Sequence, residues 1–174
     1  MKNNKNRAFF IQLLFLVFIT ITNTLCAQTN YVLPNEVVLF SFKTDNGKIV
    51  TINKDKDDKY IVYRFGTKNK VELQYPDTLK NDWNDFTYSY YLRGGGQSNE
   101  GMELNYLYFT TAGFQYVIYN TYYSSSDKTT IGIKIINIKT AKTNNIIGVY
   151  KSRKGDLTKF RDNTLIGKSD ELFE

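Results

Sequence analysis

Hydrophobic and polar positions alternate from residue 36 onward with the two-residue period of β-strands. Glycine, asparagine and aspartate interrupt the alternation at intervals of about 8–12 residues, the spacing of a sandwich or barrel. The pattern predicts an all-β protein, an antiparallel meander that forms a small barrel or sandwich of about 8–9 strands. The predicted strands are 36–44, 48–53, 60–67, 70–75, 86–92, 103–110, 114–123, 129–138 and 146–151.

Two hairpin turns give the strongest local signals. The first is Asn46-Gly47, a pair whose residues both tolerate positive φ and which lies between two apolar runs. The second surrounds Gly66, and Pro76 ends the strand that follows, because proline cannot donate to a strand ladder. We expect one turn or a structured loop at 77–85, and a short helix or an irregular tail from Gly155 onward.

The first 27 residues have the pattern of a secretory signal peptide. Three basic residues precede an apolar run at 8–21, and Ala27 is the small residue before the predicted cut. The run is shorter than the ~20 apolar residues that a spanning helix needs. We therefore expect cleavage and no stable membrane span after it. The sequence predicts a signal peptide at 1–27 and a single β domain at 28–174, secreted or periplasmic.

Cys26 is the only cysteine and leaves a second interpretation open. In a bacterial lipoprotein, a lipidated cysteine becomes the first mature residue. That processing prefers a small residue before the cysteine, and Leu25 is large, so lipidation is the less favoured alternative. Cleavage after Ala27 would remove the thiol, and the exported domain would then depend on its core instead of a disulfide.

Charge and composition restrict the chemistry. The chain has 23 basic and 17 acidic residues, and the signal peptide holds three of the basic ones, so the mature charge is 20 − 17 = +3. That value is too small to indicate nucleic acid. The absence of histidine excludes serine–histidine catalysis and the usual zinc sites, and we expect no cofactor and no metal. A hydrolase would need paired carboxylates, for which Glu72, Glu100 and Glu103 are candidates near the strands.

Two features could form a binding site. The loop from Arg93 to Gly101 contains three successive glycines, whose amides could hold a phosphate, a carboxylate or a sugar acid; a flexible hairpin connection is the other interpretation. The 14 tyrosines suit protein interfaces and sugar stacking, or they are ordinary strand composition. The candidate binding residues are Arg64, Arg93, Gly94, Gly95, Gly96, Asn99, Tyr88, Tyr90, Tyr106 and Tyr108.

Four segments carry a resemblance to known proteins: 63–66 (YRFG), 71–76 (VELQYP), 86–96 (FTYSYYLRGGG) and 105–109 (NYLYF). Together they resemble a group of small exported bacterial β proteins of uncharacterised function, over most of the mature chain. In size, export and meander character the chain is also similar to periplasmic lysozyme inhibitors. Those inhibitors carry a disulfide and loop signatures that this sequence does not match.

These observations predict an exported, non-catalytic binding protein, in the leading form an inhibitor or antagonist that acts in the cell envelope. Its partner would be a protein in the envelope or outside the cell. The alternatives are a glycan-binding module that uses the same tyrosines as stacking platforms, and a carboxylate-dependent hydrolase.

Overall fold

Eleven strands form two sheets in the computed structural model, which describes residues 30–173. The predicted signal peptide and Cys26 lie outside the described residues. The sheets face each other as a sandwich and do not close into a barrel, so the all-β prediction is confirmed. The strands are β1 (Glu36–Lys43), β2 (Ile49–Asp55), β3 (Ile61–Thr67), β4 (Lys70–Tyr75), β5 (Thr87–Arg93), β6 (Met102–Thr111), β7 (Phe114–Tyr123), β8 (Lys128–Asn137), β9 (Thr143–Ile147), β10 (Lys154–Gly155) and β11 (Gly167–Ser169).

Each sheet is a meander with one short strand added at its edge. The small sheet has the order β10-β1-β2-β3-β4, and the large sheet has the order β11-β5-β6-β7-β8-β9. All neighbouring strands are antiparallel except β11, which pairs parallel with β5. Gly47, at φ +80°, turns the first hairpin, which agrees with the Asn-Gly prediction. Within residues 30–173 no helix is long and apolar enough to cross a membrane.

The C-terminal part differs from the prediction. The strand expected at 146–151 lies at Thr143–Ile147, because the Asn137 side chain accepts from the amides of Lys139 and Thr140 and closes the preceding turn early. A turn of 3₁₀ helix at Thr158–Phe160 agrees with the short helix expected after Gly155, whereas the short strands β10 and β11 on either side of it were not predicted. Both strands are only two or three residues long and are held by β1 and β5, so local alternation cannot indicate them.

The core between the sheets is organised around Phe109. Its ring stacks on Tyr75 and Tyr116, with centroids 4.1 Å and 5.1 Å away, and meets Phe86 edge-on and Tyr63 at a tilt. Tyr63 and Tyr75 come from the small sheet, whereas Phe109 and Tyr116 come from the large one. This cluster therefore joins the two layers.

The outer face of each sheet is covered as well. A second cluster, which includes Leu104, Tyr106 and Val117, lies on the outside of the large sheet, and Phe173 packs on it. On the outside of the small sheet lies an ion pair between Arg64 and Glu36, whose side chains are both fully buried. β3 and β6, which have aromatic or apolar residues on both faces, are thus buried on both faces over most of their length.

The Arg64–Glu36 pair is bidentate. The two guanidinium Nη atoms donate to the two carboxylate oxygens at 2.6 and 2.8 Å. Arg64 also donates to the Tyr31 carbonyl and to the Gln74 side chain, and Glu36 accepts from the Leu33 amide. The pair therefore fastens the segment before β1 across the small sheet.

Replacing Phe109 with alanine tests the role of this ring in joining the sheets. We expect Phe109→Ala to lower the free energy of unfolding by about 3–5 kcal/mol, because a large cavity would open between the layers. Phe114→Ala, at an exposed position on β7, is the matched control and should have a much smaller effect. Urea unfolding followed by tryptophan fluorescence measures both; equal losses would contradict the assignment.

Removing one member of the buried ion pair should be far more damaging than removing both. Arg64→Leu leaves the Glu36 carboxylate buried without its cation, and we expect a loss of about 3–5 kcal/mol. The double variant Glu36→Leu with Arg64→Leu removes both charges and should recover part of that loss. A double-mutant cycle by urea unfolding measures the coupling, and strictly additive losses would refute it.

Candidate binding surface

The structure separates the predicted binding residues into three places. Arg64 lies buried in the small sheet. Tyr88, Tyr106 and Tyr108 pack inside the protein or under its C-terminal segment. The others lie together at one end of β5: Tyr90, Arg93, Gly94, Gly95, Gly96 and Asn99.

The contacts of Arg64 are all within the protein. Its guanidinium donates to Glu36, Gln74 and the Tyr31 carbonyl, and none of its side chain is exposed. Sequence reasoning identified the arginine but missed Glu36 and Tyr31. An arginine in the middle of an alternating strand was the available signal, because a charge placed there needs a partner.

Three of the predicted tyrosines hold the C-terminal segment. The Tyr88 hydroxyl donates to Asn105 Oδ1 at 2.6 Å, and its ring contacts Phe160. The Tyr106 and Tyr108 rings both meet Phe173 edge-on, with centroids 5.4 and 5.0 Å away. The three tyrosine rings therefore pack against other residues of the protein.

The glycine loop is ordered by its own hydrogen bonds. Arg93 Nε donates to the Glu100 carbonyl at 3.1 Å, Asn99 Nδ2 donates to the Gly94 carbonyl, and the Gly101 amide donates to the Gly96 carbonyl. Gly96, at φ +60° and ψ −151°, takes a positive-φ conformation that favours glycine. Arg93 is thus directed back onto its own loop, and the loop fixes the end of β5.

The strand beside this loop has an open edge. One side of β5 pairs with β6 along the whole strand. On the other side, β11 pairs only with Thr87, Tyr88 and Ser89, and no strand in the described part of the chain pairs with residues 90–93. We call this side of residues 90–93 the β5 edge. Its large side chains become exposed where β11 stops: Tyr90 by 42%, Tyr91 by 39% and Leu92 by 57%.

The β4 and β10 edges carry the usual protection against pairing, whereas β9 is uncharged and residues 36–38 of β1 pair only with β2 in the described chain. β4 has Lys70 and Glu72 and is followed by Pro76, β10 has two residues, and β9 begins with a threonine and two asparagines. Charged, short or proline-terminated edges discourage pairing with another chain. At the β5 edge, Tyr90, Tyr91 and Leu92 form three consecutive large uncharged side chains before Arg93.

The Tyr90 side chain of the β5 edge is held in position. The Tyr90 ring stacks on Tyr88 at 5.8 Å, and the Arg161 guanidinium lies 4.9 Å from the Tyr90 centroid. Arg161 is fixed in turn by the Glu103 carboxylate at 2.7 Å. Alternation places Tyr90 and Leu92 on one side of the strand and Tyr91 on the other. The edge therefore presents aromatic or apolar groups on both sides.

Sequence reasoning identified Tyr90 and Arg93 here but missed Tyr91 and Leu92. The available signal was three consecutive large apolar residues before a glycine loop, which break the alternation of the strand. Arg161 lies 58 residues from Glu103 in the sequence, and no local pattern indicates that contact.

The candidate carboxylates are each held beside a cation. Glu72 lies on the small sheet, 2.5 Å from Lys48, whereas Glu103 lies on the large sheet with Arg161. Glu100 lies 3.9 Å from Arg93 in the glycine loop. Glu72 is therefore separated from the other two, and the structure does not bring all three into one cleft.

Comparison of the chain with protein-family models, with curated proteins and with solved structures gives no match.

Burial of tyrosines predicts loss of stability at high pH. Burial raises the pKa of Tyr88 to about 12, partly opposed by Arg161, and raises the pKa of Tyr63 well above its usual range. The unfolded chain loses these phenolic protons near pH 10, so between about pH 10 and 12 the folded state binds more protons. The free energy of unfolding should therefore fall as the pH rises through this range.

Urea titrations from pH 8 to 12 measure this slope. We expect Tyr88→Phe to make it shallower, while at pH 8 the lost hydrogen bond to Asn105 lowers stability by about 1 kcal/mol. Phe114→Leu, which changes an exposed ring that carries no titrating group, is the control and should keep the original slope. An unchanged slope in the Tyr88 variant would show that this phenol does not contribute.

Proposed function

We propose that this is an exported, non-catalytic binding protein that takes an extended segment of a partner protein along the β5 edge. The observation that carries the proposal is the exposure of Tyr90, Tyr91 and Leu92 on β5, whose outer side has no pairing strand beyond Ser89 among residues 30–173. An open edge can bind another chain by strand addition, with main-chain hydrogen bonds for affinity and alternate side chains for specificity.

The contacts around the edge suit such a role. Tyr90 is braced by Tyr88 and Arg161, so less side-chain freedom is lost on binding. Tyrosine and arginine are enriched where proteins bind each other. A matching segment would be extended, with apolar residues at alternate positions to meet Tyr90 and Leu92.

The absence of histidine and the pairing of each candidate carboxylate with a cation also favour binding over catalysis. The signal-peptide pattern at 1–27 would place this binding in the periplasm or outside the cell. An inhibitor or antagonist of an envelope protein is the form of this function that we favour.

Substitutions at the β5 edge test the proposal. Peptides selected from a random display library on the purified protein serve as probes. We expect Leu92→Lys and Tyr91→Lys to weaken peptide binding by about tenfold or more, since each places a charge in the apolar contact. Ile138→Lys, which changes a similarly exposed apolar residue far along the large sheet, is the control and should leave binding unchanged.

Amide hydrogen exchange distinguishes strand addition from contact through side chains alone. A peptide that pairs with the edge should slow exchange at outward-facing amides within residues 90–93. Selected peptides that bind the two edge variants as tightly as the original protein would refute the β5 edge as the site. Lost affinity without any change in exchange would refute strand addition.

A further inference from the structure

A polar cleft of about 250 Å³ lies between the inner face of the large sheet and the segment after β9. Arg161, with its contacts to Tyr90 and Glu103, stands between this cleft and the β5 edge. The side chains that define the cleft are Asn105, Asn120, Tyr122, Tyr150, Arg153 and Asp156.

Asn120 on β7 is the most informative group in the cleft. Its residue is only 8% exposed, yet its side-chain amide has no hydrogen-bond partner among residues 30–173. Neighbouring Asn105, by contrast, accepts from Tyr88 and Arg161 and donates to the Asn120 carbonyl. Neither polar atom of this amide is among the buried side-chain atoms without a partner, so the amide reaches the solvent of the cleft and is free to donate a hydrogen bond to a polar ligand and to accept one from it.

The charges of the cleft are balanced. The Arg153 guanidinium lies 4.7 Å from the centroid of the Tyr150 ring and forms no ion pair within the described residues. Asp156 accepts through one oxygen from the amide and hydroxyl of Thr158. Glu103, also in the wall, is neutralised by Arg161. The Arg153 guanidinium and the Asp156 carboxylate therefore remain available to contact a ligand.

We propose that this cleft binds a neutral saccharide unit. Sugar hydroxyls both donate and accept hydrogen bonds. One sugar ring could therefore bond to the Asn120 amide, accept a hydrogen bond from Arg153 and donate one to Asp156. The Tyr150 and Tyr122 rings provide apolar faces for sugar C–H groups. Phosphate or a polyanion fits less well, because Asp156 would repel it. The site is separate from the β5 edge and does not depend on the function proposed there.

Titration with defined sugars tests the proposal on the unmodified protein. The probes are glucose, galactose, mannose, N-acetylglucosamine and their β-linked disaccharides, followed by two-dimensional NMR. We expect millimolar binding by at least one neutral sugar, with shifts concentrated at the side-chain amides of Asn120 and Asn105. No shift with any of these sugars, or a stronger response to inorganic phosphate, would overturn the proposal.

Two variants then assign the binding to the cleft. Asn120→Leu and Arg153→Ala should each weaken binding of the sugar by about tenfold, the effect of losing one polar contact in a partly buried site. Asn144→Leu, at an exposed asparagine on β9, is the matched control and should bind as the original does. Arg153 is partly exposed, so its variant serves as the test if Asn120→Leu fails to fold. Undiminished binding by the folded variants would place the sugar elsewhere.

Discussion

The buried pair of Arg64 and Glu36 constrains the small sheet, and it is the one ion pair of the described chain in which neither side chain is exposed. Two charges with no exposure persist only when each is fully hydrogen-bonded, and here Tyr31, Leu33, Tyr60 and Gln74 complete the network. Tyr31 and Leu33 come from the segment before β1, Tyr60 directly precedes β3, and Gln74 lies on β4. The position of the whole network therefore requires the small sheet to be assembled in its native register, since any slip would leave a charge unpaired.

The covering of both outer faces explains the tyrosine composition. A sandwich needs apolar residues only on the two inner faces, yet Tyr106 and Tyr119 lie on the outer face of the large sheet in a cluster closed by Phe173. Tyrosine suits this layer because its ring packs while its hydroxyl can reach a polar partner, as Tyr108 reaches Ser169. The exposed side chains of the β5 edge stand out because most other rings in the sheets are covered.

Local pattern predicted most of the strands and the first two hairpins, since alternation and the Asn-Gly turn are encoded within a few residues. The local pattern did not predict contacts between distant segments. Arg64 was predicted as a binding residue because alternation does not show that 31–35 covers its strand. The cleft around Asn120 is likewise formed only when the segment near Arg153 folds back on β6 and β7. Both cases depend on tertiary closure, which one strand cannot encode.

The parallel pairing of β11 with β5 has a consequence for the order of folding. β5 can pair with β6 as soon as the hairpin between them forms, but β11 follows about eighty residues later and closes a much longer loop. During synthesis, and until that late contact is made, the outer side of β5 is therefore open along its full length. A newly made chain therefore exposes a longer unpaired strand edge than the folded protein does. Delayed docking of β11 would favour self-association at this edge.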